Sequence, residues 1–174
     1  MDEEISTLFT EEKIKSKIKE LAQKIRNYYK DKSNVVFISL LKGSFMFFAD
    51  ITREMGLNVK IDFLQVSSYK NKTHSSLNVL IKKDIDIDIK DSYVIIFDDI
   101  IDTGLTYDKI ITYLKTKNPK EIKICTLFNK PSRRLIELKI DYAGFEIEND
   151  FIVGYGIDFN EKHRTLKDVA KINK

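Results

Sequence analysis

Three runs rich in β-branched and aromatic residues restrict the folds open to this chain: Val35–Leu41 (VVFISLL), Tyr93–Phe97 (YVIIF) and Ile122–Phe128 (IKICTLF). The first two lack the polar alternation of a half-exposed strand and suit strands buried on both faces, as in a parallel sheet. A further strand fits Val59 to Val66. Between these runs the period changes. From Glu11 to Tyr29, apolar residues fall at Ile14, Ile18, Leu21, Ala22 and Ile25, which is helical spacing. Thr10 can cap that helix, with Glu11 and Glu12 in its first turn. Lys42-Gly43 ends the first apolar run, Ser44 opens a helix through about Met55, and another helix starts near Thr106. Strands alternating with helices at this spacing predict an α/β fold, an open, mostly parallel, twisted sheet flanked by helices. In such sheets ligands bind outside the carboxyl ends of the strands. The residues that follow each strand are therefore the candidates for chemistry.

Nothing marks a domain boundary. The chain has 174 residues, two prolines and no Gly/Ser-rich linker, so residues 1–174 are expected to form a single domain. A hydrophobic fraction of 43% with 33% charged residues suits a globular chain. The net charge of +3 is small and its lysines are interleaved with acids, so no nucleic-acid footprint is expected. The lone cysteine, Cys125, sits in an apolar run and reads as a core residue in a reducing compartment. No apolar run is long enough to span a membrane, and the opening Met-Asp-Glu-Glu lacks a signal-peptide pattern, so a cytoplasmic location is expected. Residues Ser67 to about Asn78 show neither period and are expected to form a long loop acting as a lid.

The segment Val94–Thr106 (VIIFDDIIDTGLT) carries the chemistry. An apolar strand delivers Asp98 and Asp99 to its end; Ile100, Ile101 and Asp102 follow, then Thr103, Gly104, Leu105 and Thr106 at a helix start. Amides at a helix N-terminus bind phosphate well. Gly104 lets backbone wrap an anion, and the threonines add hydroxyl donors. Three carboxylates beside such a cradle suit a ligand that also brings sugar hydroxyls, a divalent metal or a proton to remove. On the residues alone, a helix cap at Asp102-Thr103 and a solvated turn at Asp98-Asp99 is the other reading.

This segment resembles the phosphoribosyl pyrophosphate signature of the hypoxanthine-guanine phosphoribosyltransferases, Glu-Asp-Ile-Ile-Asp-Thr-Gly-x-Thr after an apolar strand. Further motifs of that family follow in order: Leu41-Lys42-Gly43, Ser67-Ser68-Tyr69, Lys130, Asp150-Phe151-Ile152-Val153-Gly154-Tyr155, Asp158-Phe159-Asn160-Glu161 and Arg164. The resemblance implies the type I phosphoribosyltransferase fold with a small hood formed by terminal segments. It also implies purine salvage, with transfer of the phosphoribosyl group to hypoxanthine and guanine, and a requirement for Mg²⁺. Asp98 and Asp99 would bracket the ribose hydroxyls and hold Mg²⁺, and Asp102 would be catalytic at purine N7. Residues Thr103, Gly104, Leu105 and Thr106 would bind the 5′-phosphate. Lys42, Gly43 and Arg164 would bind pyrophosphate, with Ser68 and Tyr69 closing over it. Lys130, Phe151 and Ile152 would bind the purine, and Asp158 would sit beside it holding a second Mg²⁺. Members of the family can carry a cis peptide at Lys42, and they form homodimers or homotetramers. The apolar cluster Phe45-Met46-Phe47-Phe48 could serve an interface or the core.

Some positions depart from the pattern. Asp98 stands where the family usually has glutamate, so its shorter arm is expected to loosen the hydroxyl contact or favour a water bridge. Lys70 replaces a glycine, and His163 and His74 are read as surface residues. Two other functions fit the same fold: a regulatory protein that binds phosphoribosyl pyrophosphate and acts on nucleic acid, and a transferase for another base such as xanthine. The first should show a clustered basic face, which the mixed charges here do not supply.

Overall fold

The structure, a computed structural model, describes residues 4–70 and 77–173. In chain order the elements are β1 (Glu4–Phe9), α1 (Glu11–Tyr29), β2 (Val35–Leu41), α2 (Phe45–Met55), β3 (Lys60–Lys70) and β4 (Leu77–Lys83). They continue with β5 (Tyr93–Ile101), α3 (Leu105–Lys115), β6 (Glu121–Asn129), β7 (Tyr142–Glu146), β8 (Ile152–Val153) and β9 (Val169–Asn173). The described residues form a larger sheet of order β4-β3-β2-β5-β6-β7, parallel at every pairing except β3 with β4. A smaller antiparallel sheet of order β1-β9-β8 joins the two ends of the chain and makes the expected hood.

The central strands divide their side chains between two cores with period two. Val35 and Phe37 of β2, Ile95 and Phe97 of β5, and Cys125 and Leu127 of β6 pack with α1 and α2. Their neighbours Val36, Ile38, Val94, Ile96 and Ile124 pack with Ile110 and Leu114 of α3 on the other face. Both faces are thus covered, which is why the first half of β2 and of β5 is almost wholly apolar. Ile14, Ile18, Leu21, Ala22 and Ile25 of α1 are all buried, and Thr10 accepts from the Lys13 amide at 3.4 Å. The Glu11 amide donates to Asp168 Oδ1 at 2.9 Å, tying the start of α1 to the hood. Phe47 and Phe48 are core residues, whereas Phe45 is exposed. Among the described residues no helix is long and apolar enough to cross a membrane.

The loop expected from Ser67 to Asn78 is corrected at its two ends, and residues 71–76 lie outside the described residues. Ser67 to Lys70 continue β3, and β4 begins at Leu77, pairing antiparallel through Ser68 with Val79 and Tyr69 with Asn78. Mixed polar residues suit such an edge hairpin, because only one of its faces is packed. The side chains of Ser68 and Tyr69, and His74, lie outside the described residues.

One buried acid anchors the chain between β4 and β5. Asp62 is 6% exposed and accepts from the amides of Phe63 (2.7 Å), Asp86 (2.7 Å) and Ile87 (2.9 Å). Burial acts to raise its pKa, but these three amides and the Lys83 charge outweigh it, and the net shift is downward. A depressed folded pKa adds stability above the unfolded value, and that stability is lost as pH falls through the folded value. Asp62→Ala should therefore cost about 1–3 kcal/mol in urea unfolding at neutral pH. The deficit should shrink below about pH 4. A deficit constant from pH 7 to pH 3 would contradict this account.

Candidate active site

The strand order reverses between β2 and β5, since β3 lies outside β2 while β6 and β7 lie outside β5. A crevice opens at the carboxyl end of such a switch point because the helices that follow the two strands cross to opposite faces. Here it is a cavity of about 250 Å³ lined by Leu40, Leu41, Gly43, Val66, residues Asp98 to Gly104, Thr106 and Tyr107. A larger groove of about 510 Å³ lies between α3 and residues 136–141. There lysines and acids satisfy one another, as Lys123 does with Asp141 at 3.3 Å, and no phosphate-binding turn faces it.

Asp98 and Asp99 were expected in a loop after the strand; they lie within β5, which continues to Ile101. Ile100 and Ile101 pair with Phe128 and Asn129 of β6, and Ile101 is buried. Continued sheet pairing thus accounts for the apolar pair between the acids. Burial pushes the Asp98 carboxyl well above the usual carboxylate range, and the adjacent Asp99 charge adds to the rise. Burial also raises Asp99, offset in part by a hydrogen bond from the Asp98 carboxyl, by backbone hydrogen bonds and by the charge of Arg164. Asp98 Oδ1 accepts from the Asp99 amide at 3.0 Å and Oδ2 from the Tyr107 hydroxyl at 2.9 Å. The short Asp98 arm is thus met by a phenol from α3.

The Leu41–Lys42 peptide bond is cis. Gly43 then passes so close to the acids that a Cβ there would stand 2.0 Å from Asp99 Oδ2. On its other side, a Cβ on Gly156 would stand 2.2 Å from the Gly43 carbonyl oxygen. The chain after β2 is therefore pressed between β5 and the segment that follows β8. That contact brings Arg164 to the cavity, where its Nη1 donates to the Gly156 oxygen at 2.9 Å. Arg164 Nη2 also pairs with Asp158 Oδ1 at 2.8 Å and Glu161 Oε2 at 2.9 Å, while Lys42 Nζ pairs with Glu161 at 3.3 Å. The two basic residues expected to flank pyrophosphate thus converge on one carboxylate. Glu161 was quoted in the sequence only as part of a motif, and nothing in its spacing marks this contact.

The turn after β5 has the geometry of a helix start that can hold an anion. Gly104 caps α3 at φ 83°, and its oxygen accepts from the amides of Tyr107 and Asp108 at 2.9 and 3.2 Å. The first-turn amides before these are the unpaired donors of any helix start. Residues after β6 brace this turn: the Leu135 amide donates to the Thr103 oxygen at 3.0 Å, and Arg133 Nε pairs with Asp102 Oδ1 at 3.1 Å. Arg133 was missed by sequence reasoning, because three residues of offset from Lys130 say nothing about Asp102.

Lys130, which reads from sequence as either surface or site, is 7% exposed. Its ammonium donates to the Asp150 carbonyl oxygen at 2.7 Å, and its amide to the Ile101 oxygen at 3.0 Å. Burial lowers its pKa, against the charges of Asp102 and Asp150. Phe151 is 42% exposed and meets Phe159 edge-on at 5.4 Å, while Ile152 is buried in β8. Among the described residues no three His, Cys, Asp or Glu side chains form a self-contained metal site.

Residues 4–160 match the family described as phosphoribosyl transferase domain. A hypoxanthine phosphoribosyltransferase of Haemophilus influenzae is 43% identical over 97% of this chain and 95% of its own length. A hypoxanthine-guanine phosphoribosyltransferase of Aquifex aeolicus is 42% identical over 97% of this chain and 94% of its own. Among solved structures, a hypoxanthine-guanine phosphoribosyltransferase of Bacillus anthracis with a HEPES molecule in its active site superposes with a TM-score of 0.92. It is 42% identical and covers 99% of this chain and 100% of that one. Parallel sheet, switch-point acids and phosphate turn together define an enzyme of the type I phosphoribosyltransferase class. This chain belongs to the phosphoribosyltransferase family.

Because Gly43 leaves no room beside Asp99, Gly43→Ala should push that carboxylate aside. Phosphoribosyl transfer should fall by about a hundredfold, the order expected for a misplacement near 1 Å. Far-ultraviolet circular dichroism should be unchanged. Activity within threefold of the parent chain would show that the close approach does not matter.

Proposed function

We propose that this chain is a purine-salvage hypoxanthine (guanine) phosphoribosyltransferase, with residues 1–174 acting as one unit. It moves the 5-phosphoribosyl group from phosphoribosyl pyrophosphate to N9 of hypoxanthine or guanine, giving IMP or GMP and pyrophosphate. The observation that carries this reading is the cavity where Asp98, Asp99, Asp102 and the Gly104 turn meet, with Lys130 near enough for the Asp102 charge to act on its ammonium.

The roles follow from chemistry. The amides and hydroxyls of Thr103 to Thr106 take the 5′-phosphate at the start of α3. Asp98 and Asp99 accept from the 2′- and 3′-hydroxyls of the ribose. As the bond from C1′ to pyrophosphate breaks and the bond to N9 forms, the proton on N7 passes to Asp102. Lys130 donates to the 6-oxo group, whereas the 6-amino group of adenine would set donor against donor there. Phe151 stacks on the base and the backbone of Ile152 contacts its edge. Lys42, Gly43 and Arg164 bind pyrophosphate, which displaces the exposed Glu161 carboxylate because it carries more charge. Ser68 and Tyr69 close the site and keep water from the activated sugar.

The acids suit Mg²⁺, a hard cation that takes oxygen ligands and shares them with substrate phosphates. Asp98 and Asp99 fit it, since two adjacent carboxyls, the first half-buried and the second buried, line one cavity and gain from a divalent neighbour. Asp158 fits once its partner Arg164 turns to pyrophosphate. When bound, Mg²⁺ supplies charge neutralisation for the leaving pyrophosphate. We further propose cytoplasmic action, in keeping with the buried thiol of Cys125, and a homodimer or homotetramer. A 20 kDa particle in sedimentation would refute the oligomer.

The test is nucleotide formation from phosphoribosyl pyrophosphate and Mg²⁺ with hypoxanthine, guanine, xanthine or adenine. Hypoxanthine or guanine should turn over, adenine should not, and Asp102→Asn should lower kcat by about a hundredfold or more. Binding of phosphoribosyl pyrophosphate without turnover of any purine would favour the regulatory protein instead.

A further inference from the structure

We infer that Tyr107 is a positioning residue: its hydroxyl holds the Asp98 carboxylate in the orientation in which it meets the ribose. The inference rests on the phosphoribosyl reading of the site given above. Tyr107 lies in the first turn of α3, is 3% exposed, and packs in one cluster with Ile110 and Leu114. That packing needs the ring and makes no use of the hydroxyl. The hydroxyl instead donates to Asp98 Oδ2 at 2.9 Å, inside the lining of the 250 Å³ cavity.

Asp98 needs such a restraint. Its neighbour Asp99 is 9% exposed and lines the same cavity, and ionising both carboxyls costs more as water is excluded. A short side chain with two rotatable bonds would relieve that cost by turning away. The Asp99 amide on Oδ1 and the phenol on Oδ2 fix both ends of the carboxylate. Each carboxylate oxygen accepts about two hydrogen bonds, so each keeps a lone pair for a ligand hydroxyl. The phenol also carries little freedom of its own, since its ring is locked between α3 and the sheet. Burying a hydroxyl there without a partner would be unfavourable, so the Asp98 contact also explains why the core tolerates a polar group.

Tyr107→Phe removes the hydroxyl and keeps the ring. The readouts are the dissociation constant for IMP, measured calorimetrically in EDTA, and the KM values for both substrates. IMP affinity should fall about tenfold and KM for phosphoribosyl pyrophosphate should rise about tenfold, within the range for loss of a buried hydrogen bond to a charged group. KM for hypoxanthine should stay within twofold. In an Asp98→Asn background the same substitution should change each value less than twofold, because the carboxylate it orients is gone. Unchanged values in Tyr107→Phe, or the same factor in both backgrounds, would overturn the positioning role. If the parent chain neither binds IMP nor uses phosphoribosyl pyrophosphate, the phosphoribosyl reading fails first and takes this inference with it.

Discussion

Two carboxylates side by side in a dry pocket repel each other, and the rest of the site is arranged around that repulsion. Asp98 and Asp99 sit at the end of β5 because Ile100 and Ile101 carry the strand two residues further into pairing with β6. Sheet pairing therefore forces the acids to remain adjacent and buried. Their surroundings offset the conflict from several directions. Backbone amides and the Tyr107 hydroxyl donate to them, and the charge of Arg164 favours the ionised form of Asp99. On the reading proposed here, a ligand that brings hydroxyl donors, together with a divalent cation, would complete that set of partners.

The same pressure explains the glycines. Gly43 must pass within contact of the Asp99 carboxylate, and the Gly156 region must pass within contact of Gly43. A side chain at either place would separate the hood segment from the sheet and move Arg164 away from the acids. The hood is in turn fixed to α1 through Asp168 and to the two chain ends through β1 and β9. Lys130 is anchored from the other direction, by the Ile101 oxygen and by the Asp150 oxygen just before β8. The large sheet and the hood segment thus meet at Gly43 with Gly156 and at Lys130 with Asp150.

Much of this is legible in the sequence. Strands buried on both faces show as the apolar runs of β2 and β5, and α1 shows in the spacing of Ile14, Ile18, Leu21 and Ile25. Knowing that ligands sit at strand carboxyl ends leads to Asp98–Thr106, whereas Lys42 and Lys130 stand out only through the family resemblance. The edge hairpin of β3 and β4 is not legible, because a strand packed on one face with mixed polar residues resembles a loop. Tyr107 falls at core spacing with Ile110 and Leu114, so its ring is visible in the pattern and its hydroxyl contact is not. Arg133 and Glu161 depend on which side chains the fold brings across a cavity, a distance that sequence separation does not encode.

The central claim is that the acid pair awaits a hydroxyl-bearing diphosphate ligand with a divalent cation. Calorimetric titration with phosphoribosyl pyrophosphate, in Mg²⁺ and in EDTA, tests it most directly, with Asp99→Asn alongside. The account predicts binding at least about tenfold tighter in Mg²⁺, about 1.4 kcal/mol, with most of that dependence lost in the variant. Equal affinity with and without Mg²⁺, or no binding at all, would contradict it.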